Sequence, residues 1–203
     1  MINEKNIDIF RTIINKVKIE YDSIFENIQY VELSILIDLI FHTFKNTNGK
    51  LMFFGNGGSA SDSSHIAAEF VNKFSFYRKA LPAISLCSDV AVLTSIANDL
   101  SYNDIFARQI KAIGNDDDVA IALSTSGKSK NIHDALEVCK DKSKNISTVL
   151  FTGKDLDTSL KDNIDLVIQI NSNSTPRIQE TYMIYWHIVC KIIDDYYINI
   201  ESK

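Results

Sequence analysis

The sequence is short of cysteine, proline and glycine, and each shortage excludes a class of protein. Its three cysteines, Cys87, Cys139 and Cys190, lie far apart and lack C-x-x-C spacing, so neither a disulfide framework nor a thiolate zinc site is indicated. Two prolines and seven glycines in 203 residues exclude collagen-like and low-complexity disordered chains. Free buried thiols in a reducing compartment are the expected state of the cysteines, which predicts a cytoplasmic protein.

Long apolar runs and an excess of positive charge are also lacking. No stretch of about 18 apolar residues occurs, so we expect no membrane partner. The first residues include Glu4, Lys5 and Asp8 without a long apolar core, and we expect no signal peptide. Acidic residues outnumber basic ones by 26 to 21, so no nucleic-acid partner is expected, although a local cationic pocket is compatible with this balance.

The sequence does contain the pattern of an α/β domain preceded by two helices. Apolar residues at helical spacing predict helices over 4–22 and 30–46. From residue 51 onward, short apolar runs alternate with helical segments, which is typical of a buried parallel sheet with crossover helices. The predicted strands are LMFFG (51–55), PAISL (82–86), VAIALS (119–124), ISTVLF (146–151) and DLVIQI (165–170), and a long helix is predicted from Arg177 to about Asn199.

The loop after the first predicted strand is rich in glycine. Its sequence, GNGGSA at 55–60, holds three of the seven glycines within four positions, more than a tight turn without a ligand would need. It matches the dinucleotide pattern G-x-G-x-x-A, but the next acidic residue after a strand, Asp89, follows at about thirty positions instead of about twenty. A sugar phosphate is therefore favoured over a dinucleotide at this loop.

The loop after the third predicted strand is rich in hydroxyl groups. Its sequence, STSGKS at 124–129, precedes a helix that we expect to begin near Lys130. A P-loop would require glycine in place of Ala122, which excludes a nucleotide triphosphatase. One serine or threonine would suffice to cap the helix, whereas four hydroxyls in six residues favour a phosphate-binding loop.

Two pairs of residues, each containing a histidine, complete the set of candidate metal-binding or acid/base groups. His65 and Glu69 are four residues apart on one helix face, where they can bind a metal together or place a base beside an acid. Gln179 and His187 are eight residues apart, about 12 Å along a helix, so both would have to stretch to reach one metal ion. We therefore hypothesise that neighbouring chains help to complete the site. Taken singly, His187 would be interpreted as a core histidine.

Five motifs and one histidine carry a resemblance to a known family. In chain order they are GNGGSASDSSHIAAE (55–69), IANDLSYNDIFARQI (96–110), LSTSGKS (123–129), LFTGKD (150–155) and TPRIQE (175–180), followed by His187. Together they resemble the phosphoheptose isomerases, a family with the sugar-isomerase (SIS) fold. The resemblance implies a flavodoxin-like five-stranded parallel sheet flanked by helices. It also implies that an N-terminal helical pair, residues 1–50, packs on an SIS domain, residues 51–203, and on the oligomer, a homotetramer with active sites at subunit contacts.

The resemblance further implies an aldose–ketose isomerase with one zinc ion in each active site. Its substrate would be D-sedoheptulose 7-phosphate and its product D-glycero-D-manno-heptose 7-phosphate, for the heptose of bacterial lipopolysaccharide or capsule. Glu69 and His187 fall on the family's acid/base positions, and the zinc positions are His65, Glu69, Gln179 and His187. The substrate-binding positions are Asn56, Gly57, Gly58, Ser59, Glu69, Asn98, Asp99, Ser124, Thr125, Ser126, Ser129 and Gln179.

Two residues depart from the commonest pattern of that family. Lys128 stands where asparagine is frequent, and it would strengthen the attraction for phosphate. Pro176 stands where some members have aspartate, which leaves the orientation of substrate near Gln179 open. His42 and His133 have no partner in the sequence, and no role is predicted for them.

Alternatives to a heptose isomerase remain. A non-enzymatic protein that binds a bacterial replication initiator shares this fold, but the retention of His65, Glu69 and His187 favours an enzyme. An isomerase of another sugar phosphate, for instance of an amino sugar, is the second alternative, and a dehydrogenase is a more distant third.

Overall fold

A computed structural model describes residues 4–141, 143–156 and 163–201 of the chain. The described residues contain seven α-helices, five β-strands and a short 3-10 helix at Tyr102–Asp104. The order of elements is α1 (Glu4–Glu26), α2 (Tyr30–Asn46), β1 (Leu51–Gly55), α3 (Gly58–Val71), β2 (Ala83–Ser85), α4 (Val90–Asp99), α5 (Ala107–Ile113), β3 (Val119–Leu123), α6 (Lys130–Val138), β4 (Ser147–Gly153), β5 (Leu166–Ile170) and α7 (Thr175–Glu201).

The five strands form one parallel sheet in the order β2-β1-β3-β4-β5. This confirms the predicted flavodoxin-like sheet and all five predicted strands. The strand order reverses direction between β1 and β3, and ligands of such sheets bind at the carboxyl ends of the strands at this switch point. The glycine loop follows β1 and the serine loop follows β3, so the two predicted ligand loops lie side by side at the switch.

The strand β1 shows how the sheet divides the core into two layers. Leu51 and Phe53 join one buried cluster, which also contains Trp186 of α7 and residues of α2 and α3. Met52 and Phe54 point to the opposite face and join a second cluster with residues of α5 and α6. The alternation follows from the two-residue period of a strand, and it gives a three-layer sandwich with helices on both faces of the sheet.

The two N-terminal helices differ in how much they bury. The helix α2 contributes Leu36, Ile40 and Phe44 to the core, whereas Ile24 is the only buried residue of α1. The apolar stripe predicted for α1 exists, but the chain itself does not cover most of it. Its exposed members are Ile7, Ile9, Phe10, Ile13, Ile14 and Ile19. An apolar helix face of this size marks an interaction surface.

The last helix begins two residues earlier than predicted, at Thr175 instead of Arg177. Pro176 explains the difference, because proline fits the first helical turn, where its missing N–H group has no partner to lose. Within the described ranges, no helix combines the length and the apolar character needed to cross a bilayer.

Candidate active site

The glycine loop joins β1 directly to α3 and brings α7 close to the start of that helix. Gly57 has a φ of 57°, in the left-handed region that favours glycine. A Cβ atom at Gly58 would lie 2.5 Å from Nε2 of Gln179, so a larger residue at this position would require the Gln179 side chain to move. No side chain caps the start of α3. Such a helix terminus suits an incoming oxyanion.

The serine loop combines exposed hydroxyls with a helix start that no side chain caps. Ser129 occupies the N-cap position of α6, yet its hydroxyl makes no cap hydrogen bond. Ser126 is exposed and its hydroxyl accepts a hydrogen bond from the backbone N–H of Lys128 at 3.2 Å. No side-chain hydrogen bond caps α6, so the interpretation of these hydroxyls as helix caps is not supported. A phosphate-binding interpretation is favoured.

Ser124 and His133 make hydrogen bonds that hold the serine loop in place. Ser124 is 5% exposed, and its backbone N–H donates to the carbonyl of Phe151 on β4. His133, for which the sequence predicted no role, lies with its Nε2 2.7 Å from the carbonyl oxygen of Gly127. This imidazole fixes the turn of the loop, a contact that the sequence could not reveal.

One cavity lies next to the glycine loop and another lies next to the serine loop. One of about 190 Å³ lies between the glycine loop and α4, and is lined in part by Asn56, Cys87, Leu93 and Tyr102. Another of about 180 Å³ lies at the serine loop, where its lining is polar. The residues that line the second cavity are Thr125, Ser126, Lys128, Asp155, Asn173 and Thr175.

Two asparagines join the glycine loop to the helix behind the serine loop. The amides of Asn56 and Asn131 exchange a pair of hydrogen bonds of 2.8 and 2.9 Å, and Asn131 is only 2% exposed. The hydroxyl of Tyr102 also donates to Oδ1 of Asn56, at 2.9 Å. The predicted substrate residue Asn56 is thus held in a fixed orientation by two residues that the sequence did not single out.

Three of the four predicted metal ligands come together within a single chain. One ligand atom from each of His65, Glu69 and His187 lies within 4.8 Å of the other two. His65 Nε2 is 3.1 Å from Glu69 Oε1, and the imidazole rings of His65 and His187 are 5.4 Å apart. The site is open, because the side chain of His65 is 51% exposed. Two imidazoles and one carboxylate fit the ligand set of a catalytic zinc site that keeps a coordination position free.

The imidazole of His187 has a second neighbour that fixes its plane. Phe74, in the segment after α3, stacks on His187 with a ring separation of 5.4 Å and an interplanar angle of 23°. His187 is half-buried in this position instead of lying in the core. The interpretation as a core histidine is therefore wrong for the geometry observed.

Gln179, the fourth predicted ligand, lies two turns before His187 on α7, and its amide contacts Gly58 at the start of α3. Beside it, the hydroxyl of Tyr182 lies 2.7 Å from Oγ of Ser59 and donates to Oδ2 of Asp62 at 3.0 Å. Burial raises the pKa of Tyr182 and also raises the pKa of Asp62. The hydroxyl of Ser59, a predicted substrate ligand, is therefore buried and engaged inside the chain.

The predicted pair Asn98 and Asp99 ends α4 and is exposed. The Asn98 amide donates to the Asp99 carboxylate at 2.7 Å, so in this structure the two residues bond to each other. Tyr102, three residues further on, is the residue of this segment that contacts the glycine loop.

Comparisons with known proteins show which family the chain is similar to. Residues 15–150 match the family model described as the SIS domain. The chain is 49% identical to a phosphoheptose isomerase of Thermodesulfovibrio yellowstonii over 74% of this chain and 73% of the relative. It is 45% identical to a phosphoheptose isomerase of Clostridium acetobutylicum over 85% and 87% of the two chains.

Solved structures of proteins with the same name are also similar. The phosphoheptose isomerase of Francisella tularensis has a TM-score of 0.85 and 27% identity, covering 94% of this chain and 98% of that one. The phosphoheptose isomerase of Neisseria gonorrhoeae has a TM-score of 0.80 and 26% identity, covering 92% and 98%.

Proposed function

The chain belongs to the phosphoheptose isomerases of the SIS-domain family, and from that premise we propose that it interconverts D-sedoheptulose 7-phosphate and D-glycero-D-manno-heptose 7-phosphate. One observation carries the proposal for this chain: Glu69 and His187 lie beside each other on α3 and α7, and α3 leaves the glycine loop at the switch point of the sheet. The product would supply heptose for bacterial surface glycans.

The serine loop binds the phosphate end of the substrate in this proposal. The hydroxyls of Ser126 and Ser129, the start of α6 and the charge of Lys128 are suited to a phosphate dianion. Phosphate binding at a distance from the reacting carbons orients the sugar chain and supplies binding energy that is used at the reaction centre. Ser124 and Thr125 belong to the same loop and complete it.

The glycine loop and α4 receive the carbon chain of the sugar. Asn56 and Gly57 line the cavity next to α4, and Gly58 follows them in the same loop. Asn98 and Asp99 would reach substrate hydroxyls by exchanging their mutual hydrogen bond for bonds to the sugar. The buried Ser59 supports this loop through Tyr182.

The reaction moves two protons, and Glu69 and His187 are the groups proposed to move them. From the ketose, a base takes a proton from C1 and returns it to C2, while the proton of the O1 hydroxyl passes to O2. A carboxylate and an imidazole within 4.8 Å of each other can divide these transfers between them. The hydrogen bond from His65 holds the Glu69 carboxylate in place at 3.1 Å.

Zinc is the metal we propose for His65, Glu69 and His187, with Gln179 as a further ligand if its side chain turns away from Gly58. When bound, zinc would polarise the substrate carbonyl as a Lewis acid. Because a carboxylate that binds a metal is a weaker base, we propose that Glu69 alternates between binding the metal and carrying a proton.

We further propose a cytoplasmic homotetramer in which the exposed face of α1 contacts other copies of the chain. The uncovered apolar side chains of α1 support this proposal, and so does the openness of the site around His65. In this arrangement residues 1–50 serve the oligomer and residues 51–203 form the catalytic domain. Light scattering of the purified protein measures the oligomeric state directly.

The function is tested by incubating the protein with sedoheptulose 7-phosphate and following the sugar by NMR, with and without a chelator. We expect the aldose to appear, and the chelator to slow its formation. No conversion, together with capture of a replication initiator, would instead support the binding-protein alternative. Conversion of an amino-sugar phosphate in place of the heptose would identify a different isomerase.

A further inference from the structure

The two helices that carry the candidate site run side by side and are joined by polar contacts at both ends. Near the start of α3, Ser59 and Asp62 bond to Tyr182 of α7. In the middle lie His65 and Glu69 of α3 with His187 of α7. The contacts advance in the same direction along both helices, so the register between the two helices sets how far Glu69 lies from His187.

The far end of this contact is held by a buried arginine, Arg78, which is 4% exposed. Its Nη2 donates to the carbonyl oxygen of Glu69 at 2.8 Å, and its Nη1 donates to the carbonyl oxygen of Phe70 at 2.8 Å. Nη1 also donates to the carbonyl of Lys79, in its own segment, at 2.9 Å. The last carbonyls of a helix have no partner inside the helix, so Arg78 satisfies two of them at the residue that is proposed to carry the proton.

The partner of Arg78 is Asp194 of α7, which is fully buried. Asp194 Oδ1 accepts from Nε of Arg78 at 2.8 Å, and Oδ2 accepts from the backbone N–H groups of Ser75 and Phe76 at 2.7 and 3.1 Å. Asp194 follows His187 by seven residues, which places the two on the same face of α7. The guanidinium therefore links the backbone of Glu69 to the helix that carries His187.

We propose that Arg78 and Asp194 are positioning residues for the isomerase reaction, setting the distance between Glu69 and His187 by fixing α3 against α7. The proposal rests on the proposed function, because it assigns these residues to the same site. They contact neither the substrate nor the metal. Their effect is transmitted through the backbone of Glu69 and through two turns of α7.

The chemistry of arginine makes this link specific. Its planar fork reaches the two helix carbonyls and the Asp194 carboxylate simultaneously, which the single ammonium group of lysine cannot do. If the pair served only to stabilise the fold, well-packed apolar residues could replace it at little cost. The structure instead aims the guanidinium at the backbone of a site residue.

The chain contains a matched control in Asp118. Asp118 is 1% exposed and also accepts three hydrogen bonds from N–H groups: from the backbone of Lys50 and of Asn115, and from Nζ of Lys50. It lies immediately before β3, and both of these partners lie outside α3 and α7. Asp118→Asn and Asp194→Asn therefore remove the same kind of interaction at different places.

The experiment compares wild type, Asp194→Asn, Arg78→Lys and Asp118→Asn by three measurements: affinity for Co²⁺ from its absorption spectrum, kcat and KM, and the denaturant midpoint. We expect Asp194→Asn and Arg78→Lys to weaken Co²⁺ binding by about 10- to 100-fold. We expect kcat to fall by a factor on the order of 10 to 100 with KM little changed, because small displacements of reacting groups are costly. At a similar loss of denaturant midpoint, Asp118→Asn should keep both properties.

Equal losses of Co²⁺ affinity and kcat in Asp118→Asn and Asp194→Asn would overturn the proposal, as would wild-type values in Asp194→Asn. If a single variant does not fold, the double variant Arg78→Met/Asp194→Leu decides by the same criteria. A wild type without turnover would refute the proposed function and leave the positioning role to be judged by Co²⁺ affinity. A wild type that binds no Co²⁺ would overturn the positioning role.

Discussion

The two edges of the parallel sheet differ in how far their polar groups are hydrogen-bonded within the chain. At the amino-terminal edge, Asp118 accepts three hydrogen bonds, and Asp165 accepts two from the backbone and hydroxyl of Thr148. At the carboxyl-terminal edge, α3 and α6 begin without side-chain caps, and the hydroxyl of Ser129 makes no cap bond. Asp118 and Asp165 have their hydrogen bonds completed inside the chain, whereas the starts of α3 and α6 leave backbone donors for a ligand.

This difference shows how one scaffold can separate stability from chemistry. Buried polar groups stabilise a fold only when they are paired, and groups that await a ligand cannot be paired in advance. Substitutions of groups that are already paired inside the chain should therefore change the free energy of unfolding, and substitutions of groups that await a ligand should change kinetics. Each prediction below tests that division, beginning with the largest effect.

Glu69→Gln should lower kcat by a factor on the order of 10² to 10⁴, because it removes a general acid/base group. The change keeps the size of the side chain, so the unfolding midpoint should stay close to that of wild type. Steady-state kinetics and a denaturant titration measure the two quantities. Near-normal turnover would remove Glu69 from the chemistry.

Asp118→Ala should lower the free energy of unfolding by about 3 kcal/mol, because it leaves two backbone N–H groups and the Lys50 ammonium without their acceptor. The kcat, measured well below the unfolding temperature, should be unchanged. A loss of kcat at unchanged stability would contradict the division between the edges.

Ser129→Ala should raise KM about tenfold through the loss of a hydrogen bond to the phosphate. It should leave stability almost unchanged, since Ser129 makes no cap bond. The matched variant Asp89→Ala removes a real cap, the 3.0 Å bond from the backbone N–H of Val92, and should cost about 1 kcal/mol of stability. If Ser129→Ala costs as much stability as Asp89→Ala, then Ser129 is a cap after all.

The smallest expected change in stability concerns Tyr21. Its hydrogen bond to Glu180 is made within the chain, near the start of α7. Burial and, secondly, the hydrogen bond to Glu180 raise the pKa of Tyr21 to about 12. A raised pKa means that this contribution to stability is full below pH 10 and is lost as the pH rises through 12. Comparing unfolding of wild type and Tyr21→Phe between pH 8 and 12 should show a difference below about 1 kcal/mol that disappears at high pH. A difference independent of pH would contradict the assignment.

The sequence predicted the strands well because each is a short run of apolar residues in a fully buried parallel sheet. The glycine and serine loops were also readable, since their composition exceeds what a turn or a cap needs. The approach of His187 to Glu69 followed from the resemblance to a family, because helical spacing alone favoured a core histidine.

Other contributors to the site carried no signal in the sequence. Phe74, Asn131 and Tyr102 are ordinary residues whose roles arise from contacts across 46 to 113 positions of the chain. Arg78 would be expected at the surface because it is an arginine, and its contacts with α3 and α7 are visible only in the structure. The position of Gln179 at Gly58 likewise depends on the close approach of two helices.

The exposed side of α1 has a consequence for the start of α7. Near its end, Tyr21 bonds to Glu180, the residue that follows Gln179 in α7. A long helix with so little of its own chain against it gains order chiefly from whatever surface comes to cover it. In the homotetramer proposed above, dilution of the protein would loosen more than the contacts between copies: the first turn of α7 would lose its brace, and turnover per subunit would decline as the concentration falls.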